Sequence, residues 1–354
     1  MKKYIALFLT LVLSLGMLAG CGGETTEPAE DTAGETEQVE QTGELEKIVI
    51  TEQVRGYHWA PAYLAQTLGY FAEEGLEAEF QTIKGSDATV PVLAGEAQFC
   101  LKGIETALMV NEAGQGMKIL ASFTQKYPYS LIGASEEYAT LESLAGGTVA
   151  GGQSANSGPY SFAMACMNKA GLVPDTDVTV ITMASSGYAA AIDAGELQAA
   201  VSANPWSAKK LQEAGGVVIV DGTDDAAIEE IIGSATYELF VLMASDEYLA
   251  SNPETVQKVM NAVAKAMQWM ETATPEEITE MLLPLFEGAD AEILYDAQYD
   301  KERGIANYTG YHSESGFQAG VNLTKLAGGI TTDMTEEQIY DESFLDAAWE
   351  ALGK

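Results

Sequence analysis

Along the central part of the chain, short apolar runs alternate with longer stretches that have helical spacing. Residues 48–50 predict a strand, residues 61–69 predict a helix opened by proline and closed by glycine, and alternation over residues 76–80 predicts a second strand. A third strand, over residues 98–101, follows a helix predicted over residues 88–94. This repeated order of strand and helix is typical of an α/β fold.

A short motif occurs twice within this pattern. Residues 94–98 and 194–198 read AGEAQ and AGELQ and differ at a single position. In both places a predicted helix ends, turns on a glycine and leads into a strand. A strand over residues 148–150 also precedes a helix opened by Pro159, in the same order as in the first copy. A chance match is the alternative, but the shared order of elements favours a duplicated unit and therefore two lobes.

The predicted fold class is α/β, with two lobes and a ligand cleft between them. Lobe one spans residues 47–133 and 235–354, and lobe two spans residues 134–234. In open α/β sheets ligands bind beyond the carboxyl ends of the strands, so facing lobes bring their strand-end loops to one cleft. The predicted loops are residues 57–59, 85–87 and 102–105 of lobe one and residues 152–160, 184–187 and 203–206 of lobe two.

Aromatic and polar residues of these loops form the predicted ligand site. Tyr57, His58 and Trp59 of lobe one oppose Tyr160 and Trp206 of lobe two. Aromatic faces on both sides can hold a flat or apolar group. The alternative is that each ring packs in the core. The complete predicted set is Tyr57, His58, Trp59, Ser86, Lys102, Glu105, Gly152, Gln153, Ser154, Asn156, Ser157, Tyr160, Ser185, Asn204, Trp206 and Tyr237.

The glycine-rich loop over residues 151–158 lies between a predicted strand and a predicted helix. Free backbone N–H groups and a helix N-terminus favour an anion at such a place. Ser154, Asn156 and Ser157 add side-chain donors, and Lys102 is the cation predicted at a strand end of the cleft. These features predict that the loop binds a carboxylate or a sulfonate. The alternative is a plain flexible turn.

The N-terminal segment predicts export and lipidation. Two lysines precede an apolar run over residues 4–18, which is shorter than the ~20 residues of a spanning helix and predicts a signal peptide over residues 1–20. Residues 18–21, LAGC, resemble the lipobox of bacterial lipoproteins and predict a diacylated Cys21; an ordinary secretory cut is the alternative. The acidic residues 21–46 predict a disordered linker that tethers the protein outside the cell membrane.

Charge and residue counts exclude several functions. The chain has 17 Lys and Arg against 53 Asp and Glu and a formal net charge of -36, so nucleic acid repels it. Two histidines and three cysteines supply neither a histidine metal site nor a disulfide scaffold. Asn156 replaces the second glycine of a nucleophile elbow over residues 152–156. We therefore predict no enzyme, no metal and no cofactor, with Cys100 and Cys166 as buried thiols.

Several passages resemble one family. They are residues 58–65, 69–76, 141–150 and 192–200, the last followed by Pro205 and Trp206. Together they are similar to substrate-binding proteins of nitrate/sulfonate/taurine-type ABC importers, a group that includes thiamine-precursor binders. The resemblance runs from about residue 47 to residue 260.

The resemblance implies a type II periplasmic-binding-protein fold whose lobes close about strand crossings, which we expect near Gly133 and Gly233. It implies a protein, expected to be a monomer, that captures a small organic anion or heteroaromatic compound, such as a sulfonate, an aromatic carboxylate or a vitamin precursor. The permease and ATPase subunits of an ABC importer would be its partners. The alternatives are a lipoprotein that senses a ligand and reports to a membrane partner, and a secreted enzyme.

Overall fold

The structure, a computed structural model, describes residues 44–83, 87–155 and 157–354. Its strands are β1 (Glu46–Glu52), β2 (Leu76–Thr82), β3 (Phe99–Gly103), β4 (Met117–Ser122), β5 (Ser130–Gly133), β6 (Thr148–Ala150), β7 (Thr179–Ile181), β8 (Ala199–Ser202), β9 (Val217–Asp221) and β10 (Phe240–Ser245). Its helices are α1 (Ala60–Thr67), α2 (Tyr70–Glu73), α3 (Val90–Leu93), α4 (Ile104–Glu112), α5 (Gly158–Lys169), α6 (Tyr188–Asp193), α7 (Pro205–Glu213), α8 (Asp225–Ile232), α9 (Asp246–Ser251), α10 (Pro253–Thr272), α11 (Pro275–Leu282), α12 (Asp290–Arg303), α13 (Glu314–Leu326), α14 (Glu336–Ile339) and α15 (Ser343–Ala351). Short 3-10 helices are Tyr57–Trp59, Glu136–Tyr138, Glu142–Leu144, Ser185–Gly187 and Leu283–Leu285.

The strands form two sheets with the same internal order. One sheet runs β2-β1-β3-β10-β4 and the other runs β7-β6-β8-β5-β9. In each sheet the first three strands are parallel and the fourth is antiparallel to its neighbours. This confirms the predicted α/β fold class, and the shared order agrees with the duplicated unit that the repeated motif predicts.

Each sheet takes its antiparallel strand from the other half of the chain. β5 pairs with β8 and β9, and β10 pairs with β3 and β4. The chain therefore crosses between the sheets twice, in crossing 1 (residues 123–129) and in crossing 2 (residues 234–239). The two crossings lie side by side, because the Tyr237 amide donates to the Gln125 carbonyl over 3.0 Å.

The first crossing lies earlier than the lobe boundary predicted at residues 133–134. The sequence pattern predicts residues 130–133 in lobe one, but they form β5, which pairs with β8 and β9 of the other sheet. A short apolar run carries no local mark of the sheet that it joins. Gly133 lies inside that strand, where an added Cβ would stand 2.0 Å from the Tyr138 carbonyl oxygen. Gly233 ends α8 just before crossing 2. The remaining lobe limits stay a prediction.

After crossing 2 the chain continues through β10 into helices α9 to α15. The apolar face of α10 is buried along its length, from Val256 to Met267. A capping box, formed by Thr274 and Glu277, begins α11 and supplies hydrogen bonds to backbone groups that the helix itself leaves open. No helix among the described residues is long and apolar enough to cross a membrane.

The two cysteines of the described region are both free and buried, Cys100 in β3 and Cys166 in α5. Burial raises the pKa of the Cys100 thiol to about 12 and raises that of Cys166 as well. Both side chains therefore stay protonated and unreactive at neutral pH, as the sequence predicts. The third cysteine, Cys21, lies outside the described residues.

Candidate functional site: the cleft between the two sheets

The loop after β1 meets the loop after β8 at His58. The imidazole Nε2–H of His58 donates to the Ala203 carbonyl oxygen over 3.1 Å and so joins the two lobes. The same ring stacks on Phe240, with ring centroids 4.5 Å apart. Burial lowers the pKa of His58 to about 4, so the imidazole is neutral at pH 7. His58 is thus an uncharged contact between the lobes.

The neighbours of His58 form an aromatic wall in lobe one. Trp59 lies edge-on to Phe240, with centroids 4.8 Å apart, and is only 4% exposed. Its indole Nε1 is buried without a hydrogen-bond partner among the described residues. The Tyr57 hydroxyl donates to Asp300 Oδ2 over 3.3 Å. The wall therefore contains one buried donor, on Trp59, that the described protein groups do not use.

Trp206 does not share that wall. Its backbone N–H donates to Asp296 Oδ1 over 2.9 Å, which sets the start of α7 against α12. Its ring lies against Tyr295, with centroids 5.8 Å apart, and the Lys210 ammonium lies 4.5 Å above it. Trp59 and Trp206, the two tryptophans predicted to hold a flat group between the lobes, therefore lie in separate clusters. The reason is that the start of α7, which carries Trp206, is hydrogen-bonded to α12.

A second contact between the lobes centres on Glu105. This residue is the second of α4 and is 7% exposed. Its carboxyl group lies next to the Gly158 backbone at the start of α5, which partly offsets the effect of burial on the pKa of this group. Oε2 of Glu105 has no hydrogen-bond partner among the described residues. Burial raises the pKa of this carboxyl group above its ordinary value.

Tyrosines of both crossings surround this contact. The Tyr127 hydroxyl of crossing 1 donates to the Gly158 carbonyl over 3.2 Å, and its ring lies 4.8 Å from that of Tyr237 in crossing 2. Burial raises the pKa values of Tyr127, Tyr129 and Tyr237, and the nearby charge of Glu105 raises them further. Glu105 and Tyr237, both predicted site residues, therefore lie together at the junction of the lobes.

The glycine-rich loop after β6 uses much of its hydrogen-bonding capacity within the protein. The Gly152 amide donates to the Tyr188 hydroxyl over 3.1 Å, and the Ser157 hydroxyl donates to the Ser154 carbonyl over 2.6 Å. The Gly158 backbone lies next to the Glu105 carboxyl group. The sequence predicts backbone N–H groups that are free for an anion, but the N–H of Gly152 has an acceptor 36 residues away along the chain. That the loop holds an anion stays a prediction.

The other predicted residues occupy varied positions. Lys102 pairs with Asp87 over 3.4 Å. Asn204 caps α7, since its Oδ1 accepts the Ser207 N–H over 2.7 Å. Gln153, Ser154 and Ser185 are exposed, whereas Tyr160 and Ser157 are half-buried. Ser86 and Asn156 lie outside the described residues. That these side chains contact a ligand stays a prediction.

A cavity of about 330 Å3 opens at the edge of the cleft. Its lining includes Tyr57, His58, Asn204, Phe286, Ile293 and Asp296. The last three come from the region around α12, which carries no motif that the sequence analysis could match. Burial raises the pKa of Asp296 from its ordinary 3.8 to about 8 and that of Asp300 to about 6. The sequence signal that links Asp296 to Asp300 is their spacing of four residues, which places both on one face of α12.

Residues 57–278 match a family described as NMT1/THI5 like. The chain belongs to this family. Its relative YtlA of Bacillus subtilis, named a putative binding protein, is 28% identical over 278 residues, which are 77% of this chain and 78% of the relative.

Solved structures share the fold at low identity. One from Bordetella bronchiseptica RB50 is 22% identical with a TM-score of 0.70 and covers 88% of this chain and 99% of its own. The periplasmic nitrate-binding protein NrtA of Synechocystis PCC 6803 is 12% identical with a TM-score of 0.65, covering 87% and 89%. A desulfurization enzyme, DSZB, is 15% identical with a TM-score of 0.60, covering 87% and 99%. The two-sheet architecture is therefore that of the periplasmic-binding-protein fold.

Proposed function

We propose that this chain is the extracytoplasmic solute-binding component of an ABC importer. The observation that carries the proposal is the interface between the two sheets, where loops of both lobes bury aromatic and polar groups around His58 and Glu105. The name of the Bacillus relative and the nitrate-binding role of a protein with the same fold support this proposal. The desulfurization enzyme supports no chemistry here, because a shared fold does not transfer a reaction.

Ligand capture would proceed by closure of the lobes about the two crossings. The crossings are two adjacent segments of chain, so they allow the lobes to rotate as bodies. Closure brings polar groups of the two lobes into contact, among them His58 with Ala203 and Trp206 with Asp296. A ligand held between the lobes favours the closed form by its own differential affinity, and the closed form is what the permease would recognise.

A screen for the solute tests this proposal. Sulfonates, aromatic carboxylates, pyrimidines and flavins would be added to the purified protein, because a ligand that binds only the folded state raises the melting temperature. Compounds that raise it would be titrated calorimetrically into wild type, into His58→Ala, and into the exposed-residue control Glu137→Gln. We expect binding to weaken in His58→Ala alone. A screen without any binder would contradict the proposal.

The same ligand separates transport from sensing and from catalysis. Proteoliposomes that contain the permease and ATPase subunits should accumulate the ligand only when this protein and ATP are added. Stimulated uptake supports the importer role, whereas unchanged uptake with intact binding supports a sensing lipoprotein. Recovery of a chemically altered ligand after incubation with the protein alone would indicate an enzyme.

We also propose that Cys21, which lies outside the described residues, carries the lipid anchor. Mass spectrometry of membrane-bound protein should find Cys21 at the N-terminus with a diacylglycerol group, and Cys21→Ser should release the protein from the membrane. Mature protein that retains Met1 would contradict this prediction.

A further inference from the structure

We propose that the ligand of the cleft presents a hydrogen-bond-donating group, cationic or neutral, to the carboxyl group of Glu105, and that the cleft disfavours anions at this place. The inference rests on the proposed solute-binding function and narrows its ligand class. It reverses the expectation that the glycine-rich loop before α5 holds a carboxylate or a sulfonate.

The first step of the argument is the occupancy of the α5 N-terminus. Backbone N–H groups at a helix N-terminus attract anions, and a ligand carboxylate or sulfonate would ordinarily take this position. Here the Glu105 carboxyl group of the other lobe is buried and lies next to the Gly158 backbone at that helix start. An anionic ligand at the same place would have to displace a buried carboxyl group of the protein or lie against it, and both cost free energy.

The second step is the unused acceptor. Glu105 is 7% exposed, yet its Oε2 has no hydrogen-bond partner among the described residues. A buried carboxyl oxygen without a partner carries a desolvation cost. A ligand N–H group that donated to Oε2 would remove this cost, and a donor on a cationic group would form the stronger, charge-assisted bond.

The third step is the charge of the surroundings. Lys102 is paired with Asp87, and Arg55 is paired with Glu52 over 2.9 Å, so both cations near these strand ends already have partners. The buried His58 is neutral at pH 7. These groups offer an anion little compensation for the loss of its hydration.

The fourth step places the aromatic wall beside Glu105. Phe240 is the register partner of Gly103, two residues before Glu105, and its ring touches His58 and Trp59. The indole N–H of Trp59 is a buried donor that also lacks a partner among the described residues. A flat ligand that combines donors with an acceptor, as aromatic amides and amidines do, would match both unpaired groups.

Three ring compounds of equal size test the inference directly. Benzamidine carries a cationic donor group, benzamide a neutral one and benzoate an anionic acceptor. Each would be titrated calorimetrically into wild type, into Glu105→Gln and into the control Glu137→Gln. We expect wild type and the control to bind benzamidine about tenfold or more tightly than benzoate, in line with a charge-assisted hydrogen bond. In Glu105→Gln this preference should shrink about tenfold.

Each outcome decides a different claim. The inference is overturned, with the proposed function left standing, if wild type binds benzoate as tightly as benzamidine, or binds none of the three while a screened anion binds. It is also overturned if Glu105→Gln keeps the wild-type preference. If Glu105→Gln does not fold, the wild-type ratio still decides. Binding of no solute of any class would overturn the proposed function itself.

Discussion

The two copies of the repeated motif place a glutamine at the same point of each sheet. In lobe one the Val49 amide donates to Gln98 Oε1 over 2.7 Å, and in lobe two the Thr148 amide donates to Gln198 Oε1 over 2.7 Å. In return, the backbone N–H of Gln98 donates to the Val49 carbonyl over 3.1 Å, and the backbone N–H of Gln198 donates to the Thr148 carbonyl over 2.9 Å. The same pair of hydrogen bonds thus joins β1 to the turn before β3 and joins β6 to the turn before β8.

The loops that follow these third strands differ completely. After β3, lobe one buries the carboxyl group of Glu105 at the start of α4. After β8, lobe two offers the Ala203 carbonyl to His58 and uses Asn204 to cap α7. The comparison teaches that the repeated motif determines how the strands are arranged in each sheet. The residues that follow the strands differ between the lobes, and they determine the chemistry of each side of the cleft.

The largest expected difference between the lobes concerns their tryptophans. Trp59→Ala removes a buried ring and should lower the free energy of unfolding by about 3–5 kcal/mol. Trp206→Ala removes a half-buried ring, so it should cost about 1 kcal/mol. Urea denaturation measures both. Equal losses would contradict the placement of Trp59 in the wall and of Trp206 against α12.

The same pair tests the binding site. Because Trp59 lies beside Phe240 in the cleft wall, Trp59→Ala should weaken ligand binding by about 2 kcal/mol, whereas Trp206→Ala should weaken it less. The conservative variant Trp59→Phe keeps an aromatic face without the indole N–H, so it should retain the fold and report the contribution of that donor.

The next effect is the pH dependence of the contact between α12 and lobe two. Burial raises the pKa of Asp296 to about 8 in the folded protein, from an ordinary 3.8. Between these values the folded state binds more protons than the unfolded state, so stability should fall as pH rises, by about 1 kcal/mol per pH unit for this proton. Asp296→Asn should flatten that slope and raise stability at pH 8.

Asp300 provides the matched comparison. The Asp296 carboxyl group accepts one hydrogen bond, at Oδ1 from Trp206, which an asparagine oxygen can also accept. Asp300 uses both oxygens, one for Ala306 N–H and one for the Tyr57 hydroxyl, and burial raises its pKa only to about 6, so Asp300→Asn loses a bond and removes a smaller charge penalty. Thermal unfolding of both variants from pH 5 to pH 8 should show the larger rise in stability at pH 8 for Asp296→Asn, and an equal or larger rise for Asp300→Asn would contradict the assignment.

A smaller effect is expected at two glycines with positive φ. Gly152 has φ +88°, and an added Cβ would stand 2.9 Å from Pro159 Cβ. Gly195, in the second motif copy, has φ +74° with nothing within 4 Å. Gly195→Ala should cost about 1 kcal/mol for backbone strain alone, and Gly152→Ala should cost about 1 kcal/mol more because of the contact. Equal costs would show that the loop relaxes around Pro159.

Local sequence patterns were sufficient to predict the first three strands. The runs at residues 48–50, 76–80 and 98–101 lie in or overlap β1, β2 and β3, because strand alternation and glycine turns are properties of neighbouring residues. The assignment of β5 was wrong, since a strand of four residues gains its place from pairing with β8 and β9. Pairing between distant segments is a tertiary property that no local pattern records.

The site could be predicted only in part for the same reason. His58 and Glu105 follow predicted strands, and this position alone was sufficient to predict that they lie at the cleft. Phe240, Tyr127 and Asp296 were missed, because their burial depends on the two crossings and on the packing of α12. Each looks from sequence like an ordinary strand, loop or helix residue.

The smallest effect tests the likeness of the lobes itself. Gln98→Ala and Gln198→Ala each remove a side-chain acceptor from a strand amide, and each should lower the free energy of unfolding by about 1 kcal/mol. Because the paired distances match, the two losses should agree within the error of urea denaturation. Gln212→Ala, whose amide donates to a carbonyl within its own helix over 3.3 Å, is the control and should cost less. A loss confined to one motif glutamine would show that the lobes share geometry without sharing energetics.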